Sequence, residues 1–131
     1  MLETYLQALQ SSDWSALAAA VAPDVRRVGP FGDVVEGREA YVAFLSGLLP
    51  TLPAYRLTVT AVHDLPGGGA FVELTEAFEI EGQRREFPEA IRFGLSGDGL
   101  VSEVVIYTQR PGADAPVAGG RAPGAPQDFR Q

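Results

Sequence analysis

Two glutamates fall where strand alternation calls for apolar side chains. In residues 71–80 one face reads Val72, Leu74, Glu76, Phe78 and Ile80; in residues 85–95 one face reads Phe87, Glu89, Ile91, Phe93 and Leu95. Each stripe is interrupted by one carboxyl on the side that turns toward the core, where an isolated charge is costly. Such a group must be paired, reach a cavity with water, or keep its proton through a raised pKa. If Glu89 lies in an apolar pocket near Tyr5, desolvation keeps it protonated as a hydrogen-bond donor to a carbonyl oxygen, while Glu76, ionised beside Arg27, accepts a proton.

Arg27 enters because Val25, Arg27 and Gly29 share a face of the first strand, and a Gly29 backbone lets a ligand approach closely. If that face is the inner one, Arg27 pairs with Glu76 or Glu89, or clamps an anionic substrate bidentately. Two plainer readings stand beside this one. Arg27 and a glutamate form a closed structural ion pair, or a bulge rotates one glutamate to solvent. Tyr5 sits on an apolar helical stripe, a position more often filled by a core tyrosine with one hydrogen bond than by a catalyst. His63, beside Asp64 at a strand end, reads as a solvated surface residue.

The elements that position these groups can be traced from spacing. Leu2, Tyr5, Leu6 and Leu9 repeat as a helix; Ser11-Ser12-Asp13 offers a break and an N-cap; Trp14, Leu17, Ala18 and Val21 form a second stripe that Pro23 ends. A short strand at 25–28 leads through Gly29-Pro30-Phe31-Gly32 to a third helix after Gly37, with Tyr41, Phe44, Leu45 and Leu48 on one face. Pro50 and Pro53 stop that helix. Strands are then expected at 55–63, 71–80, 85–95 and 100–109, joined by Pro66-Gly67-Gly68-Gly69, Glu81-Gly82 and Gly97-Asp98-Gly99, which makes an antiparallel meander. Tyr55, Leu57, Val59, Ala61 and His63 share one face of the first of these strands. The last strand carries Val101, Val105 and Tyr107 on one face and Leu100, Val104 and Ile106 on the other, so both faces want cover.

The strand, Pro-Phe-Gly turn and Gly-Arg-Glu helix start within residues 24–49 resemble the signature region of the nuclear transport factor 2-like superfamily. The nearest branches are the ketosteroid isomerases and the SnoaL-like polyketide cyclases, and the resemblance runs from Tyr5 to about Arg110. It implies an α+β fold: a cone-shaped curved antiparallel sheet with three helices from the N-terminal half on its concave face, a blind pocket between, and a homodimer through the outer sheet face. It also implies roles. Steroid isomerases of this fold hold a developing oxyanion with a first-helix tyrosine and a protonated late-strand acid, here matched by Tyr5 and Glu89, and use an Asp just before the Pro-Phe-Gly turn as base. The chain departs from that pattern with Gly29 at the base position, and with Thr108 where SnoaL-like cyclases carry a last-strand aspartate. Glu76, which the pattern does not require, is a candidate relocated base.

Composition bounds the rest. At 131 residues the chain fits one domain, read as 1–110, followed by a Pro/Gly/Ala-rich segment 111–131 that lacks a core-forming pattern and is expected to be a disordered tail. Without cysteine there are no disulfides or thiolate metal sites, and one histidine does not make a histidine-rich site; neither a metal nor a cofactor is called for. A net charge of -7 repels a phosphate backbone, so nucleic acid is not an expected partner. No apolar run approaches a membrane span, and the start lacks signal-peptide features; a cytoplasmic protein is expected.

Two functions follow. In one, a small enzyme of lyase or isomerase type moves a proton on, cyclises or hydrates a hydrophobic carbonyl compound, with Glu76, Glu89 and Tyr5 as catalytic groups. Arg27, Gly29, Phe31, Phe44, Leu45, Leu74, Phe78 and Thr108 are its expected substrate-binding residues. In the other, the protein is a non-catalytic binder of a small apolar ligand, or a structural dimer.

Overall fold

A computed structural model describes residues 2–109; the 111–131 segment lies outside the described residues, and the reading of it as a tail stays an expectation. Helices α1 (Leu2–Ser11) and α2 (Trp14–Ala20) lead into β1 (Val21–Val28) and a short β2 (Val34–Glu36). Helix α3 (Arg38–Leu48) and a 3-10 turn (Leu49–Thr51) precede β3 (Arg56–Asp64), β4 (Gly69–Ile80), β5 (Gln83–Leu95) and β6 (Val101–Thr108). The six strands form one curved, open sheet in the order β2-β1-β6-β5-β4-β3.

Local chemistry accounts for the joints. The Asp13 side chain accepts a hydrogen bond from the Ala16 N–H at 3.1 Å and caps α2. That helix stops at Ala20, three residues before Pro23, because Val21 already belongs to β1. Gly37 precedes α3 at φ 97°, a conformation that favours glycine. The Arg38 guanidinium donates to the Val21 carbonyl from Nη2 at 2.8 Å and from Nε at 3.2 Å, which ties the start of α3 to β1. Glu81 and Gly82, both at positive φ, make the two-residue turn between β4 and β5, where Ile80 pairs with Gln83.

The expected meander is present from β3 to β6, all antiparallel. The sheet as a whole is mixed, because β1 lies parallel to β6, a pairing between distant parts of the chain. Bulges alter three alternations. Two residues of β6 oppose one step of β5 between Gly94 and Leu95, so Val101 and Val104 are both buried in the core instead of facing opposite sides. A shift between Val59 and Ala61 interrupts the single face expected along β3. A third shift lies in β1 between Val21 and Arg26.

Between helices and sheet, Tyr5, Leu6 and Leu9 of α1, Leu17 of α2 and Tyr41 and Leu45 of α3 pack against Val25, Val72, Leu74, Ile91, Phe93 and Val104. Tyr5 meets Phe93 edge-on at 5.3 Å between ring centroids. Among the described residues no helix is long and apolar enough to cross a membrane.

Candidate functional site

The core does not close completely. A cavity of about 570 Å³ opens between the helices and the concave face of the sheet. Tyr5 and Leu9 reach it from α1, Tyr41 and Leu45 from α3, Glu76 and Phe78 from β4, Phe87 and Glu89 from β5, and Thr108 from the end of β6. Arg27 and the Pro30-Phe31 turn also line it, with Phe31 79% exposed.

Register brings the two glutamates together. Leu74 pairs with Glu89 and Glu76 with Phe87, so Glu76 and Glu89 are diagonal neighbours on one face, within reach of long side chains. The Tyr55 hydroxyl donates to Glu76 Oε2 at 2.5 Å. Burial pushes the Glu89 carboxyl up to about 9; a hydrogen bond to Glu76 and that group's negative charge push the same way, and Arg27 offsets part of the shift. Burial in this apolar stripe thus favours the protonated form of Glu89. Burial also raises the Tyr55 hydroxyl, with Glu76 adding to the effect.

Tyr5 and Tyr41 hydrogen-bond to each other through their hydroxyls, both fully buried. Burial holds the Tyr5 phenol well above its ordinary value and pushes Tyr41 up to about 12. Two hydroxyls bring two protons and one is consumed between them, so the pair keeps a proton for a ligand. The reading of Tyr5 as a tyrosine with one hydrogen bond and its reading as an oxyanion donor meet in this arrangement.

Arg27 is 8% exposed and lines the cavity, but its ion pair is with Asp33, Nη1 to Oδ2 at 3.0 Å, and not with Glu76 or Glu89. Its guanidinium lies over the Phe44 ring at 4.5 Å. The Arg27 hydrogen bond in turn holds the Asp33 carboxyl below its ordinary value. Gly29 makes room for this: a Cβ there would come within 2.4 Å of Asp33 Oδ1. The expected close approach at Gly29 is thus made by Asp33. Phe44 acts as the platform beneath Arg27, and Leu74 is a core residue, 2% exposed; neither belongs to the cavity lining, whereas Phe31, Leu45, Phe78 and Thr108 do. His63 pairs with Glu73 at 2.8 Å on the exposed sheet face.

The SnoaL-like domain family matches residues 2–104. The chain belongs to that family. A candidate ketosteroid isomerase from Kribbella flavida DSM 17836 superposes with a TM-score of 0.72 at 25% identity, covering 95% of this chain and 88% of the other. An epoxide hydrolase of the LEH-like type from M. tuberculosis gives 0.71 at 20% identity, with 82% and 79% covered. A candidate SnoaL-like polyketide cyclase from Jannaschia sp. CCS1 gives 0.69 at 23% identity, with 82% and 84% covered. The last two show the shared fold, which is the α+β architecture that the Pro-Phe-Gly region implied. No curated protein matches the chain.

Three residues of this SnoaL-like site escaped the sequence reading as functional groups. Tyr41 was visible only as part of a helical stripe, and Tyr55 only as a strand-face residue. The signal for Tyr55 is the β3–β4 register, which pairs Leu57 with Glu76 and so sets residue 55 diagonally beside that carboxyl. Asp33 gave no signal at all, because its placement depends on how the turn closes: the Gly29 N–H donates to the Asp33 carbonyl at 2.7 Å.

Proposed function

We propose that this SnoaL-like protein binds a hydrophobic carbonyl compound in the cavity and moves a proton on it. The observation that carries the reading is the placement of two carboxyl groups as diagonal neighbours in the cavity wall, where burial favours the protonated form of Glu89 and Glu76 receives a hydrogen bond from Tyr55. In the step envisaged, a carboxylate oxygen of Glu76 takes the proton on the carbon next to the carbonyl. The C–H electron pair becomes the enolate double bond, the carbonyl π pair moves to oxygen, and the Glu89 O–H stabilises that oxygen. The Tyr5–Tyr41 pair supplies a further donor. Isomerisation, cyclisation and hydration all begin from a carbonyl polarised in this way.

The test needs no knowledge of the natural substrate. Cyclic ketones small enough for the cavity are incubated with the protein in deuterated water, and exchange next to the carbonyl is followed by NMR. Catalysed exchange is expected. Its absence across ketones that demonstrably bind would leave a non-catalytic binder, the reading favoured by Gly29 where related isomerases carry their base.

A homodimer through the outer sheet face, acting in the cytoplasm, belongs to the same proposal. Tyr107 is 53% and Val62 52% exposed on the strands of this sheet, and the Tyr107 ring lies 6.4 Å from that of Phe71. Sedimentation at micromolar concentration is expected to give the mass of two chains. A monomer throughout that range would reject the dimer.

A further inference from the structure

We infer that the ligand is a hydrophobic keto acid whose carboxylate is received by Arg27, with Asp33 as the built-in competitor that sets how strongly acids are preferred. The inference rests on the carbonyl-binding reading above and narrows it to a substrate class.

Arg27 is a buried cation with capacity to spare. A guanidinium carries five N–H donors in a rigid fork. Among the described residues it has one hydrogen-bonded partner, Asp33, through Nη1. Phe44 covers one flat face without accepting in the plane of the fork, and the group borders the cavity beside Pro30 and Phe31. Leaving donors of a buried charge unmatched is costly, and the group that matches a guanidinium fork best is a planar carboxylate bound through two parallel hydrogen bonds.

The Arg27–Asp33 contact is built by the main chain. Gly29 and Asp33 close their turn through the Gly29 N–H and the Asp33 carbonyl at 2.7 Å, and Gly32 N–H donates to the Gly29 carbonyl at 3.0 Å. The Asp33 carboxylate then occupies the space that a side chain at position 29 would take. With its side chain 50% exposed, it remains hydrated while it shares the guanidinium. Asp33 thus engages one side of the guanidinium and opposes any second anion that arrives there, a repulsive element of the kind that sharpens specificity. Elsewhere in the wall Glu89 and the tyrosine pair present protons suited to a neutral oxygen. An ionised oxygen at Arg27 and a ketone oxygen at Glu89 together describe a keto acid.

The experiment measures binding of a naphthyl keto acid and of its methyl ester by calorimetry, to the full chain and to three variants. The wild type is expected to prefer the acid about tenfold, the scale of one charge-assisted contact. Asp33→Asn should raise that preference a further several-fold with ester binding unchanged. Gly29→Ala, which pushes the same carboxylate aside without demanding an unusual backbone angle, should act in the same direction. Arg27→Met should abolish the preference; if circular dichroism shows that it does not fold, the Asp33 variant decides alone. Equal affinity for acid and ester in both wild type and Asp33→Asn overturns the keto-acid assignment while leaving the carbonyl-binding reading in place. Binding of neither probe removes that reading and the assignment together.

Discussion

Glu76→Gln is expected to slow proton exchange next to a bound carbonyl by about a hundredfold or more, the usual weight of a positioned general base. The amide keeps the size of the carboxylate and an oxygen that can accept the Tyr55 hydrogen bond, so the wall of the cavity is preserved. What it loses is basicity. Glu89→Gln should cost less in the same assay, because an amide N–H still donates to the substrate oxygen. The order of the two effects separates chemistry from packing. A merely structural pair would respond about equally to either change, and equal losses would remove the assignment of base and acid.

The second large effect is on stability, and its direction follows from where each state binds a proton. The Glu89 carboxyl, near 4.5 when unperturbed, is raised to about 9 in the folded protein. Between those values the folded chain holds a proton that the unfolded chain has released. Stability is therefore fully present below pH 4.5 and is lost as pH rises toward 9, by at most about 1.4 kcal/mol per pH unit. Glu89 is partly exposed and shares its surroundings with Arg27, so a smaller loss, about 2 kcal/mol by pH 7.5, is the realistic expectation. Glu89→Gln has no proton to lose. The variant should melt roughly 5–10 °C above the wild type at pH 8 and close to it at pH 4.5. Parallel melting curves across this range would show that Glu89 ionises alike in both states.

These two predictions rest on residues that alternation alone had singled out. A carboxyl in an otherwise apolar stripe is legible because the two-residue period of a strand is rigid, and Glu76 and Glu89 both face the cavity as that period requires. Alternation failed where an extra residue entered the ladder. The bulge opposite Gly94 puts Val101 and Val104 into one core, and nothing in the local sequence announces it. The parallel pairing of β1 with β6 was equally silent, since it joins segments some 80 residues apart and local patterns carry no record of such a partner. Helix ends followed the same logic: Asp13 was readable as a cap, but Val21 was drawn from the helical stripe into β1 by its pairing with Val101.

Charged partners were the least legible part of the site. Arg27 lines the cavity, yet its partner is a turn residue six positions on, reached only because a five-residue turn closes over a glycine. Sequence distance to Glu76 or Glu89 gave no means of ranking them against Asp33. The turn gives Arg27 its hydrogen-bonded partner at the cavity wall, so the cation only offsets part of the shift at Glu89, and the direct hydrogen-bond partner of Glu76 is Tyr55. Burial first, and then the neighbouring Glu76, favour the protonated form of Glu89.

Titration of the glutamate carboxyl carbons by NMR, on the protein without ligand, tests this most directly. One resonance, assigned to Glu89 by its disappearance in Glu89→Gln, is expected to titrate near pH 9, far above the 4.5 of an unperturbed glutamate. If that resonance titrates near 4.5, Glu89 is an ordinary carboxylate, the acid and base are not divided, and the cavity is a binding site without the proposed chemistry.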